Sequence, residues 1–225
     1  MEKLFINHEP TKEALVSIME CVRKQGKAYQ RYVEQMDESK DNAMYSAEYL
    51  KGLADKYLEQ VVSIAVSNRE LFDKYIEDAR VCENKNNDII DISDSVLQSA
   101  ISIVNVCGEN LTADVASGII ESMKGQKKAL DIIKSVMETK KVSVPSYDLK
   151  YCYNSNSLLN GLQEKADAVA YDPKNPVVYI NVKREVSKVA DVLGIALSDE
   201  ELNTGLDEER VNENRMRAAM ELAAK

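Results

Sequence analysis

The sequence predicts an all-α protein, an elongated helical bundle that contains one long helical hairpin. Between Pro10 and Pro145 the chain has no proline, and most residues there are good helix formers such as Ala, Leu, Lys and Glu. The 225 residues include only 4 prolines and 8 glycines, which argues against a turn-rich β-sandwich. Within 41–82, apolar residues recur about every 3.6 positions, the period of a nearly straight α-helix.

The first two predicted helices form the hairpin. The first is expected over 10–37, begins at Pro10, and is weakened by up to about 1 kcal/mol at Gly26. The second is expected over 41–82 and would span about 63 Å. A compact globule of this size is only about 45 Å across, so either the helix breaks, for instance near Gly52, or the molecule is elongated, and we expect elongation. The apolar stripe of the second helix comprises Leu50, Leu53, Tyr57, Val61, Ile64, Asn68, Leu71, Tyr75 and Ala79.

The rest of the chain predicts shorter helices with recognisable ends. Gly108 is expected to stop the third helix, and Thr112 is expected to cap a fourth that continues to about residue 140. Ser198 and Glu201 form a capping-box pattern. A short extended segment is predicted near 147–153, where apolar and polar residues alternate. The remaining helices are expected at 89 or 94 to 107, 155–170, 176–196 and 206–224.

These elements suggest three parts along the chain. Residues 1–145 would form the long-helix bundle, 146–197 a smaller helical subdomain, and 198–225 an amphipathic C-terminal helical arm. Met216 and Met220 lie on one face of the predicted arm. Oppositely charged residues four positions apart would support its helix, at Glu213–Arg217 and Glu221–Lys225.

The charge of the chain is acidic and unevenly distributed. The net charge is −9, and the stretches 41–90 and 197–225 each carry −4, from six positive and ten negative residues and from four and eight. This balance argues against binding nucleic acid or an anionic membrane over the whole surface. Lys127, Lys134 and Lys141 recur every seven residues on one face of the fourth helix. They predict either a solvated flank or a basic stripe that meets an acidic face.

Tyrosine is the anomaly of the composition, with 11 tyrosines against 2 phenylalanines and no tryptophan. The second helix carries Tyr45, Tyr49, Tyr57 and Tyr75. A phenol suits a position where the ring rests on apolar surface and the hydroxyl reaches water. These residues therefore predict either the rim of a thin bundle or a protein–protein interface.

Catalytic and metal-binding motifs are absent from the sequence. His8 is the only histidine, which excludes histidine-rich zinc sites and most catalytic triads, and we expect it at the surface. Asp88, Asp91 and Asp94 stand at a helix entrance but lack the glycine and closing glutamate of a calcium loop, so they predict capping charges. Since phosphate-binding and nucleophile motifs are also missing, we expect no enzymatic activity, cofactor or metal.

The sequence also predicts where the protein resides. No apolar run approaches the roughly 18 residues needed to span a bilayer, and no secretory signal is apparent. The four cysteines (Cys21, Cys82, Cys107 and Cys152) are far apart and resemble reduced, buried residues. We therefore expect a cytoplasmic protein, with incorporation into a larger assembly left open.

Together these features predict a non-enzymatic helical assembly or interaction protein, such as a structural or assembly component of a viral (phage-like) particle. Its expected partners are proteins, including other copies of itself, rather than nucleic acid or membrane. The alternative is a small acidic inhibitor that binds a basic nucleic-acid-handling protein by charge mimicry. Mimicry requires a continuous exposed stripe of carboxylates, whereas assembly requires exposed apolar and tyrosine positions. A third hypothesis, a carboxylate enzyme, predicts metal in the purified protein.

Overall fold

A computed structural model describes residues 6–40, 44–87, 89, 94–144 and 155–223. Over these residues the chain forms eight α-helices, one short 3-10 turn at Gly108–Asn110, and no β-strand, which confirms the all-α prediction. The predicted extended segment 147–153 lies outside the described residues. The helices are α1 (Glu9–Lys40), α2 (Ala47–Asn87), α3 (Ser95–Cys107), α4 (Ala113–Glu121), α5 (Lys127–Thr139), α6 (Ser155–Tyr171), α7 (Pro176–Leu193) and α8 (Glu208–Ala223).

The predicted hairpin is formed by α1 and α2, which run antiparallel. Hydrogen bonds join Asn7 to Asn86 (3.1 Å), Gln25 to Asn68 (3.0 Å) and Gln35 to Tyr57 (3.0 Å). Residues later in α1 thus bond to residues earlier in α2, as antiparallel helices require. The polar break predicted at 37–42 is placed too early, because α1 continues to Lys40 and α2 begins only at Ala47.

The buried face of α2 differs from the predicted stripe in its second half. Leu71 is exposed and Tyr75 is only half-buried, whereas Phe72 and Ile76 are fully buried. Positions 68, 72, 76 and 79 have the same helical spacing as 68, 71, 75 and 79, so periodicity alone does not choose between the two sets. The buried residues of α2 are Val61, Ala65, Asn68, Phe72, Ile76, Ala79, Glu83 and Asn86.

The prediction of one continuous fourth helix is wrong. The chain leaves the helix after Glu121 and re-enters it at Lys127, so that α4 and α5 are separate. Gly125 in this turn has φ +74°, a left-handed conformation that favours glycine. A Cβ on Gly125 would also collide with the carbonyl oxygen of Leu193 and approach His8 Nε2 to 2.6 Å. Backbone conformation and packing both require the glycine that ends the helix.

The end signals predicted at Gly108 and Thr112 and the capping box at Ser198 are confirmed, whereas α2 spans Ala47–Asn87 rather than the predicted 41–82. Gly108 follows α3 with φ +51°, and Thr112 Oγ1 accepts the Val115 N–H at 3.4 Å as the cap of α4. At the capping box, Ser198 N–H donates to Glu201 Oε2 (2.6 Å), and Glu201 N–H donates to Ser198 Oγ (3.2 Å). This box closes a turn rather than opening a long helix, since α8 begins only at Glu208.

The structure divides the chain along lines other than the three predicted parts. Two compact units each combine three separate segments, because α1, α2, α6 and α7 each contribute residues to both. The first unit comprises Met1–Glu13, Glu77–Asn160 and Lys188–Ala196, and the second comprises Ala14–Ile76, Gly161–Ser187 and Leu197–Lys225. In the first unit, the core packs α3, α4 and α5 around Val104, Ile120, Ile133 and Met137. Where the chain is described, none of its helices has the length and apolarity that crossing a bilayer requires.

Candidate interaction surfaces

The four predicted tyrosines fall into two groups. Tyr45 and Tyr49 are exposed at the start of α2, where their rings stack with centroids 4.8 Å apart. Met44 beside them is 90% exposed. Tyr57 is half-buried and donates its hydroxyl proton to Gln35 Oε1 at 3.0 Å, and Tyr75 is also half-buried. Only the first pair exposes its rings to solvent, and we define Met44, Tyr45 and Tyr49 as the tyrosine patch.

The predicted lysine stripe is only partly present. Lys127 and Lys134 both lie on α5, but α5 ends at Thr139, and Lys141 follows it with φ +57°. The three lysines therefore do not share one helix face, which corrects the prediction. Lys127 Nζ also lies 2.8 Å from Asp131 Oδ1, so that part of its charge is compensated within α5. The stripe is a weak candidate for recognition of an acidic partner.

An apolar groove lies between α3 and α4 in the first unit. It has a volume of about 500 Å³, and Val96, Ile103 and Val115 at its walls are exposed. We call it the α3–α4 groove. Sequence reasoning missed it because apolar residues at helical spacing are ordinarily interpreted as core residues. The sequence signal that could have revealed the groove is that both helices carry apolar residues on more than one face, as a helix with an uncovered apolar side does. The groove is lined by Ser95, Val96, Ser99, Ala100, Ile103, Val115, Gly118, Ile119 and Ser122.

The C-terminal helix α8 exposes the two predicted methionines. Met216 is 58% exposed and Met220 is 72% exposed, and their spacing of four places them on one face. The preceding segment is held on the second unit, where Thr204 is buried and Lys183 Nζ lies 2.9 Å from the Glu208 carboxylate. Exposed apolar side chains thus occur on a helix whose start is well anchored.

Carboxylates line one exposed face of α2. At 100° per residue, Glu48, Asp55, Glu59, Glu70 and Asp73 fall within one narrow stripe. The stripe is interrupted between Glu59 and Glu70, over about 16 Å of helix, by exposed Val62 and Val66. The acidic face is therefore two short clusters rather than one continuous row.

The surface position predicted for His8 is wrong. Its Nδ1 lies 2.9 Å from Glu83 Oε1, and its Nε2 lies 3.1 Å from the Gly125 carbonyl oxygen. Glu83 is 1% exposed and also accepts the Thr11 hydroxyl proton at 2.5 Å. Asn86 Nδ2 approaches His8 Nδ1 at 3.2 Å and donates to the Asn7 carbonyl at 3.0 Å. These polar groups bind one another and hold Asn7 and His8 against α2. No sequence motif predicts this role.

A second buried polar cluster fixes the second unit. Tyr179 donates its hydroxyl proton to the Pro173 carbonyl at 2.6 Å and accepts from Gln25 Nε2 at 3.2 Å. Asn68 Nδ2 donates to Gln25 Oε1 at 3.0 Å and to the Cys21 carbonyl at 3.1 Å. Burial raises the pKa of Tyr179 well above its ordinary value, so the hydroxyl stays protonated in the fold.

Metal and thiol chemistry finds little support among the described residues. No three His, Cys, Asp or Glu side chains of that part of the chain are grouped so that they could hold a metal ion. Asp94 caps α3 by accepting the Val96 N–H at 2.7 Å, as predicted, while Asp88 and Asp91 lie outside the described residues. Cys21, Cys82 and Cys107 are free thiols, and burial raises the pKa of Cys21. Cys152 also lies outside the described residues.

The chain matches no protein-family model, no curated protein and no solved structure. A function for this chain therefore rests on the chemistry of its own surfaces.

Proposed function

We propose that this chain is a non-enzymatic assembly protein that associates with copies of itself through exposed apolar helix faces. The main support for the proposal is that the described residues include three such faces. The tyrosine patch, the α3–α4 groove and the Met216–Met220 face all expose side chains that soluble monomers mostly bury. Clustered apolar exposure is characteristic of protein–protein contact.

The interior chemistry supports a structural role over a catalytic one. A catalytic acid or base needs a free position within hydrogen-bonding reach of a substrate. The largely buried ionisable pair His8 and Glu83 instead bonds to Gly125 and Thr11. A structural or assembly component of a viral particle is a more specific form of this proposal, because such particles repeat one chain through its own surfaces.

Light scattering coupled to size exclusion tests the proposal. The full chain is measured over a tenfold concentration range at two salt concentrations. We expect a mass above 25.2 kDa that rises with concentration. Because apolar burial drives the contact, added salt should weaken it little. A mass of one chain at every concentration would overturn self-association.

The acidic face of α2 favours a second candidate function, binding to a basic nucleic-acid-handling protein. Glu48, Asp55 and Glu59 form one exposed cluster, and Glu70 and Asp73 form another. A duplex presents one negative charge per about 1.7 Å of axis, which these two clusters do not approach. The interruption at Val62 and Val66 makes this candidate weaker than assembly.

Calorimetric titration with poly-lysine tests the second candidate. Recognition by the acidic face predicts binding that falls steeply with salt and that is lost in Asp55→Asn/Glu59→Gln. The matched control is Glu109→Gln/Asp114→Asn, which removes the same charge from exposed positions in the first unit. Equal loss in both variants would show that only net charge matters, which would contradict a dedicated acidic face.

A further inference from the structure

We infer that α8 is the pairing element of this protein, and that the α8 helices of two copies pack antiparallel about a two-fold axis. The inference rests on the proposed self-association and names the surface that carries it.

The start of α8 is held rigidly on the second unit. Lys183 Nζ and the Thr204 hydroxyl both bind the Glu208 carboxylate, at 2.9 and 2.8 Å, and Arg210 pairs with Asp37 of α1. The segment that precedes α8 packs directly on α1. A Cβ on Gly26 would therefore collide with the carbonyl oxygen of Thr204. The direction in which α8 leaves the unit is therefore set by several contacts in its first turn.

After Val211, the side chains of α8 that the structure describes are exposed to solvent. Every residue from Asn212 to Arg217 is exposed, as is Met220. An isolated helix of about 12 residues is marginal in water, and most helices in proteins depend on a packed apolar face. In α8 the exposed apolar face is formed by Met216 and Met220. A surface that packs on these methionines would cover the apolar face that the described part of α8 leaves exposed.

The charges beside the methionines indicate a second copy as that partner. Glu213 and Arg217 both lie on the same side of the methionine face. They are four positions apart, yet the described residues show no ion pair between them, contrary to the sequence prediction. The other predicted pair, Glu221–Lys225, ends outside the described residues.

Antiparallel pairing about a two-fold axis makes use of this unpaired acid and base. The order of residues is reversed in the partner helix, so Glu213 of each copy comes opposite Arg217 of the other. The axis then passes level with residue 215, so Met216 of each copy lies one residue from it, and a Met220 lies on either side. Such an interface is isologous and closes at two copies.

The expected interface is small. One helix pair buries less than the roughly 1,200 Å² that marks the lower end of stable interfaces. The dimer should therefore be reversible and depend on concentration, which makes it sensitive to single side chains at its centre.

The first experiment compares two matched variants of the full chain by light scattering over a tenfold concentration range. Met216→Glu/Met220→Glu should remove the dimer, because it places carboxylates at the centre of the apolar contact. The control, Val81→Glu/Val106→Glu, changes two exposed apolar positions outside the tyrosine patch, the α3–α4 groove and α8, and should dimerise like the unchanged chain. Circular dichroism checks that both variants keep their helices.

The outcomes separate this inference from the proposed function. Loss of the dimer in the methionine variant alone supports α8 pairing. A dimer that persists in the methionine variant keeps self-association but overturns the role of α8. If the unchanged chain is a monomer throughout, both the inference and the proposed function are wrong.

A charge swap tests the antiparallel geometry without removing the methionines. Arg217→Glu alone places Glu213 opposite a second carboxylate in each copy, and dimerisation should weaken about tenfold. Adding Glu213→Arg restores opposite charges and should recover most of that loss. A double variant as weak as the single one would overturn the antiparallel arrangement.

Discussion

Tyr179 shows at the scale of one residue how this protein accommodates polar atoms in its interior. It is fully buried, and its hydroxyl bonds to the Pro173 carbonyl and to Gln25. A buried polar group that loses its partner costs more than the bond itself contributed. A phenylalanine at this position would lack the hydroxyl and would leave both partners without that hydrogen bond.

We expect Tyr179→Phe to lower the free energy of unfolding by about 1–3 kcal/mol, because the Pro173 carbonyl and Gln25 lose their partner. Urea denaturation monitored by circular dichroism measures the change. Tyr171→Phe is the control, since Tyr171 bonds Arg69 at 2.5 Å but remains exposed, and we expect less than about 0.5 kcal/mol there. Equal effects of the two substitutions would contradict this account.

The raised pKa of Tyr179 predicts a loss of stability in alkali. In the unfolded chain a tyrosine ionises near pH 10, whereas burial holds the folded pKa higher. The protonated form is therefore favoured by folding, and its contribution is complete below about pH 10 and declines as the pH rises beyond it. The unfolding free energy measured from pH 8 to 11 should fall more steeply for the unchanged chain than for Tyr179→Phe. Parallel curves would show that Tyr179 plays no part.

At the scale of one helix, Gly26 in α1 is where helix propensity and packing disagree. Propensity treats a glycine inside a helix as a weakness of about 1 kcal/mol relative to alanine. The structure shows why glycine is present: a Cβ would collide with the Thr204 carbonyl oxygen, which is backbone and cannot rotate away. Gly52 in α2 has no atom within 4 Å of the same position.

The two glycines should therefore respond to alanine with opposite signs. Gly26→Ala should destabilise the protein by about 1–3 kcal/mol through overpacking against the segment before α8. Gly52→Ala should stabilise it by about 0.5–1 kcal/mol, because only the helix backbone is affected. Thermal and urea unfolding of both variants measures the difference. A stabilising Gly26→Ala would show that the segment around Thr204 does not rest on α1 as described.

At the scale of the whole molecule, distant parts of the chain build each unit. The first unit joins the start of the chain to the end of α2 and to the turn at Gly125 through His8 and Glu83. Glu83 is a deeply buried carboxylate that depends on partners from the first 13 residues. Truncation at the start of the chain therefore leaves Glu83 without these partners.

Deleting residues 1–8 should lower the unfolding free energy by about 1–3 kcal/mol, since Glu83 and Asn86 lose the partners supplied by Asn7 and His8. Urea denaturation provides the measurement. Adding Glu83→Gln to the truncated chain should recover part of the loss, because a neutral amide is less costly to bury than a carboxylate. An equally stable truncated chain would show that the polar cluster contributes nothing.

The sequence by itself determined the helices and most of their ends. Periodicity and the scarcity of proline predict the class, and Gly108, Thr112 and Asp94 act at helix ends as their chemistry predicts. These features depend on contacts within a few residues, so local spacing is sufficient to find them. The same local reasoning placed Met216 and Met220 together on one face of the C-terminal helix.

Only the tertiary structure decided which of several equivalent positions are buried and which polar groups meet. Phe72 rather than Leu71 faces the core, Gly125 breaks a helix because Leu193 lies beside it, and His8 finds Glu83 across 75 positions of chain. The lysine stripe fails for the same reason, since Lys141 belongs to a turn. Packing between residues far apart in the chain decides these outcomes. The pattern of hydrophobicity and charge along the sequence does not show which distant residues will meet.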